Sequence, residues 1–261
     1  MAYRGAKNNE LLRLLPRVLR ARDFYLYLEG GKRITDLWLH GGRAILGHKS
    51  RGVLGELKNS AERGLFSPFP HHLENRLYKA LALFFPGKAF RLYLDEGSLG
   101  LVLEAVLEKR GLSGSKTVSV WRPFMEGQEA PVMIPVLPWS LGPAALVLDR
   151  DLDPLFPPGD IIPPVLLAPA VRALYNLKAR MDKPGGPCPR YARVEKALKN
   201  SQWRRNRIYL TSPLDTDSYA GLYRRFLDGG FLIPPCREDP AILPALMSPG
   251  EEAKLAELLE I

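Results

Sequence analysis

Cysteine is scarce: Cys188 and Cys236 are the two in 261 residues. That argues against a disulfide-stapled secreted scaffold and fits a reducing compartment, so the expected location is cytoplasmic and a bridge between the two is not expected. No apolar run is long enough to span a bilayer. Basic residues recur through MAYRGAKNNELLRLLPRVLRAR and leave no uninterrupted apolar stretch of the kind a secretory signal requires. The four histidines, His40, His48, His71 and His72, have no metal-ligand spacing, and the two cysteines form no zinc knuckle. A Gly-x-Ser-x-Gly elbow, a P-loop and a Gly-x-Gly-x-x-Gly turn are all missing, which removes the commonest hydrolase and nucleotide-binding signatures.

What is present reads as a globular protein. An apolar content of 46% is ordinary, and the chain is long enough to bury a large core in one domain or two. The formal charge is +9, which suits a polyanion, an anionic cofactor or simply a basic surface. The densest basic run is RVEKALKNSQWRRNR, where Arg193, Lys196, Lys199, Arg204, Arg205 and Arg207 surround Trp203. Cations beside an aromatic ring can follow a phosphate backbone and stack a base. A solvated helix face followed by a charged turn explains the same residues.

The hydrophobic pattern divides the chain. Residues 9–22 read as a short amphipathic arm, and YLYLEGGKRITDLW as two strands joined by Gly30-Gly31. Helices are expected over 50–64 and 71–85, the latter stopped by Pro86-Gly87. Strands follow at 89–95, 117–121, 132–138 and 144–149, with a turn at 96–98 and a helix after it. This is the opening of a parallel α/β sheet. Only RPFMEGQEAP separates the second of these strands from the third, short for a parallel crossover, so the sheet is expected to be curtailed or to turn antiparallel there. Further helices are expected near 165–180, over 191–203 and over 216–228, with a strand at 206–211 and a linker-like passage at 181–190. The last helix opens on SPGEEAKL, where Ser248, Pro249 and Glu251 suit the N-cap, first turn and capping-box positions.

Several passages, in order along the chain, resemble class III aminotransferases, fold-type I enzymes that use pyridoxal phosphate. Tyr25-Leu26, Gly30-Gly31, Thr35-Asp36 and Gly47-His48 match that family's amino-terminal hairpin and its Gly-His turn. The helix, strand and turn of LENRLYKALALFFPGKAFRLYLDEGSLG are similar to its phosphate-binding unit, with Glu96-Gly97-Ser98 at the turn. The passage YAGLYRRFLDGGFLIPP resembles the closing small-domain segment. The resemblance implies an α/β fold with a curtailed large domain plus an α+β small domain built from both chain ends. The expected division is an arm over 1–23, small-domain segments over 24–70 and 186–261, and a reduced large domain over 71–185. It implies a homodimer, with Leu11, Leu12, Leu15 and Leu19 of the arm needing cover, and an amino acid or keto acid as substrate.

The same resemblance nominates site residues. Gly97 and Ser98 would bind the cofactor phosphate, Asp149 at a strand end would pair with the pyridinium nitrogen, and Lys178, 29 residues later, stands where the aldimine lysine is sought. The departures are chemical. Glu96 repels a phosphate, Met125-Glu126-Gly127 replaces a motif that carries a stacking ring, Arg150-Asp151 follows Asp149 where the family has Glu-Val, and Lys178 lies within a helical pattern. Family members are also much longer. The expected function is therefore an aminotransferase-like pseudoenzyme, lacking the aldimine lysine and keeping a binding or regulatory role. Its alternatives are an active aminotransferase loaded with pyridoxal phosphate and a basic polyanion- or nucleic-acid-binding protein. No metal is expected.

Overall fold

The computed structural model describes residues 10–110, 117–183, 189–213 and 216–260. Residues 1–9 of the arm and 184–188 of the linker-like passage, Cys188 among them, lie outside these. The chain divides into two compact units. The first comprises residues 50–123 and 127–182; the second comprises 2–49, 124–126 and 183–261. Among the described residues no helix is long and apolar enough to cross a membrane.

The first unit is built on a four-stranded sheet. Its strands are β4 (Ala89–Tyr93), β5 (Val118–Trp121), β6 (Val132–Pro135) and β7 (Ala144–Leu148), in the order β4-β7-β6-β5. β7 reads AALVL and is buried throughout, as an interior strand covered on both faces must be. One face carries Tyr93, Val132, Ala144, Leu146 and Leu148 against Leu99 and Leu103 of α3 (Glu96–Arg110), with Val102, Val106 and Leu107 completing its apolar stripe. A helical layer of α1 (Val53–Glu62), α2 (Leu73–Ala82) and α4 (Pro164–Met181), in which α4 packs on both α1 and α2, reaches the sheet through α2 and the rings that follow it. There Tyr78 stacks on Phe90, and Trp121 meets the rings of Phe84 and Phe85 edge-on.

The sheet is mixed. β4 and β6 both run antiparallel to β7, while β5 and β6 are parallel. The antiparallel turn expected at RPFMEGQEAP is not found there: β5 and β6 run parallel across this short crossover, without a helix, and the reversal of direction comes at β7. Gln128 closes the β5–β6 connection instead. Its side-chain amide accepts from Arg122 N–H at 2.5 Å and donates to Arg122 C=O at 2.9 Å, while its own carbonyl accepts from Ser119 Oγ. One side chain thus performs the pairing that a ladder would.

The second unit holds two sheets. One has the order β1-β2-β3-β10, from β1 (Val18–Arg22), β2 (Tyr25–Leu28), β3 (Arg33–Asp36) and β10 (Phe231–Leu232). The other has the order β11-β9-β8, from β11 (Ala241–Ile242), β9 (Tyr209–Thr211) and β8 (Arg204–Asn206). Two expectations are corrected here. The arm is a single helical turn followed by a strand, because alternation over VLRAR serves pairing with β2 better than a helix broken at Pro16. The single strand expected at 206–211 is a hairpin, turned at Arg207, whose φ is 57°. Gly30 and Gly31, both at φ 82°, make the tight turn between β2 and β3.

β3 pairs in parallel with β10, so Thr35 lies beside Phe231 and the two ends of the chain share one sheet. Helices α5 (Ala192–Lys199), α6 (Thr216–Asp228) and α7 (Pro249–Leu259) complete the unit. Ser248 and Glu251 form the expected capping box, and Glu251 also accepts from Arg33 at 2.7 Å and Tyr25 at 3.2 Å. A single helix start therefore anchors the hairpin.

Asp36 is the polar centre of this unit. It is 2% exposed. One carboxylate oxygen accepts the Trp38 and Leu39 N–H groups at 2.8 Å each, and the other lies 2.9 Å from His48 Nε2. Gly47, at φ 89°, allows the turn to close with His48 N–H on Asp23 C=O, where a Cβ would approach that oxygen to 3.1 Å. The Asp and Gly-His of the resemblance are thus joined by a structural bond. Asp36→Ala should lower unfolding free energy by about 3 kcal/mol, since it strands buried donors. His48→Ala should cost about 1 kcal/mol. Urea unfolding of the two variants beside the wild type checks both.

Candidate functional site

The nominated phosphate turn lies at the end of β4, the outer strand of the first unit's sheet. Glu96, Gly97 and Ser98 already form the first turn of α3, so the helix begins earlier than the pattern suggested. Free amides at such a helix start make an anion site. Here the protein supplies its own anion. Asp95 Oδ1 accepts Ser98 N–H at 2.7 Å, and Asp95 C=O accepts Leu99 N–H at 3.2 Å. A Cβ on Gly97 would stand 3.1 Å from the same Oδ1. The Ser98 N–H bond holds the Asp95 carboxyl below its ordinary range. The sequence signal for this was legible in Asp-Glu-Gly-Ser, an aspartate three residues ahead of the amide it caps.

Asp149 lies elsewhere. It follows β7, which is antiparallel to β4 with Ala89 opposite Leu148 and Tyr93 opposite Ala144. The end of β4 that leads to Ser98 and the end of β7 that leads to Asp149 are therefore separated by the length of the ladder, roughly 13 Å. Asp149 is engaged at its own end by the Lys88 ammonium, and Arg150 Nε donates to Gly87 C=O at 2.9 Å. These contacts close the Pro86-Gly87 turn.

Lys178 lies in the last turn of α4, next to buried Leu177. Its Nζ is 2.6 Å from Asp182 Oδ1, an i,i+4 pair on a half-exposed face. Met125 belongs to the second unit and packs against that unit's core. Neighbouring Glu126 exchanges backbone hydrogen bonds with the Asn206 side chain at 3.1 Å and pairs with Arg207.

The basic run is also accounted for. Trp203 is buried, its ring 5.7 Å from that of Phe226, so it offers no face for a base to stack on. Arg205 pairs with Glu195 at 3.6 Å. The polyanion reading loses its aromatic platform because the tryptophan serves the core.

No protein-family model matches the chain. A protein of uncharacterized function from Treponema pallidum (strain Nichols) is 27% identical over 281 residues, covering 91% of this chain and 92% of that one. Among solved structures, ornithine delta-aminotransferase of Plasmodium falciparum aligns over 93% of this chain and 91% of its own, at 12% identity and a TM-score of 0.68. An omega-transaminase from Sphaerobacter thermophilus aligns over 97% and 95%, at 10% identity and a TM-score of 0.68. The chain has the fold-type I aminotransferase fold, a likeness of architecture at these identities.

Pyridoxal phosphate can be tested against the residues of the first unit. The group needs a phosphate cradle and a carboxylate for the ring nitrogen within one pocket, with an amine beside its aldehyde. Asp95 occupies the amides of the cradle, Asp149 lies at the other end of the ladder, and Lys178 is paired on its helix. The nominated residues do not fit the cofactor as a set.

Removing the cap has a defined cost. Asp95→Ala should destabilise the protein by about 1 kcal/mol at neutral pH. Because folding lowers this carboxyl's pKa, the stabilisation is complete above the unfolded value of about 3.9 and disappears as pH falls through the folded value. Thermal midpoints of wild type and Asp95→Ala should differ at pH 7 and converge under strongly acid conditions.

Proposed function

We propose that this chain is an aminotransferase-like protein of the class III kind, degenerate in its cofactor apparatus, with a binding or regulatory role in the cytoplasm. The observation that carries this reading is the antiparallel β4–β7 ladder, which keeps Asp149 away from Gly97 and Ser98. Support comes from the Asp95 cap and the Lys178–Asp182 pair, each of which gives a nominated site residue a local partner. In this reading the first unit is the reduced large domain and the second is the small domain made from both chain ends. The alternative, an active enzyme moving an amino group between an amino acid and a keto acid, draws on the fold alone.

The reading includes a homodimer. Leu11 and Leu15 already pack on the second unit's core, whereas Leu19, 71% exposed, and Val18 beside it remain without cover. Light scattering at high micromolar concentration should give twice the chain mass; a monomer at that concentration, unchanged when residues 1–20 are deleted, counts against the dimer.

Covalent cofactor capture tests the central claim. Lys178 is held in its pair with Asp182, and an amine so engaged forms an aldimine only weakly. Protein incubated with pyridoxal phosphate and reduced with borohydride should show scattered, substoichiometric labelling on peptide mapping. Stoichiometric labelling of Lys178, lost in Lys178→Ala, would establish the active enzyme instead.

A further inference from the structure

A groove of about 370 Å³ opens in the first unit, lined by Glu74, Tyr78, Arg91, Asp153, Phe156 and Pro158 among others. Its outer wall is built. Gly159 packs so closely on β4 that a Cβ would come within 2.3 Å of Leu92 C=O. Asp160 N–H donates to that carbonyl at 2.8 Å, and the Asp160 side chain accepts Leu94 N–H at 2.9 Å. The segment is thereby clipped along the outer edge of the sheet, and only glycine permits it.

The charges in the groove do not cancel. Arg91 is spent on the wall. Its Nη2 meets Asp153 at 2.7 Å, Nε donates to Pro157 C=O at 3.2 Å and Nη1 to Phe90 C=O at 3.0 Å. Arg91 thus offsets Asp153, leaving Glu74. One Glu74 oxygen accepts the Tyr78 hydroxyl at 2.9 Å, and among the described residues no cation pairs with the carboxylate. Burial raises the Tyr78 phenol well above its ordinary pKa, so it stays a neutral donor to Glu74. A divalent metal is a poor match, because among the described residues no three acidic, histidine or cysteine side chains gather to hold one. A carboxylate with the Tyr78 and Phe156 rings and a proline wall suits a positive nitrogen carrying a short apolar chain.

We propose that this groove binds a small organic ammonium ligand, its nitrogen on Glu74 and its alkyl part against Tyr78, Phe156 and Pro158. The site is separate from the nominated cofactor residues and does not depend on the aminotransferase-like reading. Calorimetric titration of the full chain with butylammonium chloride, against sodium chloride at equal ionic strength, should show saturable binding. Glu74→Gln, which keeps an acceptor for Tyr78, should weaken it by about tenfold or more, and Glu56→Gln on α1 should leave it unchanged. Butyrate, of similar shape and opposite charge, should not bind the wild-type protein. No saturable heat with butylammonium, equal affinity in Glu74→Gln, or butyrate binding as tightly as the amine would each overturn the proposal. If Glu74→Gln proves unfolded by circular dichroism, the butylammonium and butyrate comparison on the wild type still decides it.

Discussion

Five residue pairs, from Ala89 with Leu148 to Tyr93 with Ala144, hold the outer strand of the sheet antiparallel to its neighbour. A ladder of this kind is a ruler: it determines which strand ends can share chemistry and which cannot. Here it puts the start of α3 at one end and Asp149 at the other. The sheet's apolar faces then require cover, which α3 gives on one side and the rings of Tyr78, Phe84 and Phe85 give to Phe90 and Trp121. It also leaves β4 with a free outer edge, which the segment around Gly159 covers.

Much of this architecture is legible in local pattern. AALVL marks an interior strand, because burial on both sides leaves an unbroken apolar run, whereas α3 is apolar nearly all round and its sequence does not say that Leu99 and Leu103 are covered while Leu101 is exposed. Ser248-Pro249-Gly-Glu251 spells out its cap. Strand direction leaves no such trace: a run like VMIP reads the same beside a parallel or an antiparallel neighbour. The placement of Asp149 turned on that missing information. The β5–β6 crossover was similarly opaque, since a lone glutamine standing in for backbone pairing has no periodicity.

The nominated residues illustrate a second limit. A run such as Asp-Glu-Gly-Ser suits an incoming phosphate and a carboxylate from the chain itself equally well, and the chain's own Asp95, the commoner partner of helix amides, takes the place. Trp203 looked like a nucleic-acid platform because sequence shows which residues adjoin a tryptophan and not which way its ring turns. Conversely, Asp36 and His48, noticed as part of a resemblance, prove to be fastened to one another, a contact between residues that only a folded chain brings together.

The parallel pairing of Thr35 with Phe231 has a consequence for how the protein is made. A ribosome delivers residues 50–182 of the first unit well before Phe231 emerges, while β1, β2 and β3 wait without the strand, helices and capping box that complete their unit. A hairpin alone is marginal in water, and contacts of such long sequence separation form late. Residues 18–36, made before the first unit, are therefore among the last to become native. During that interval the arginines along β1 and its irregular register with β2 keep an unfinished edge from recruiting the same segment of another nascent chain.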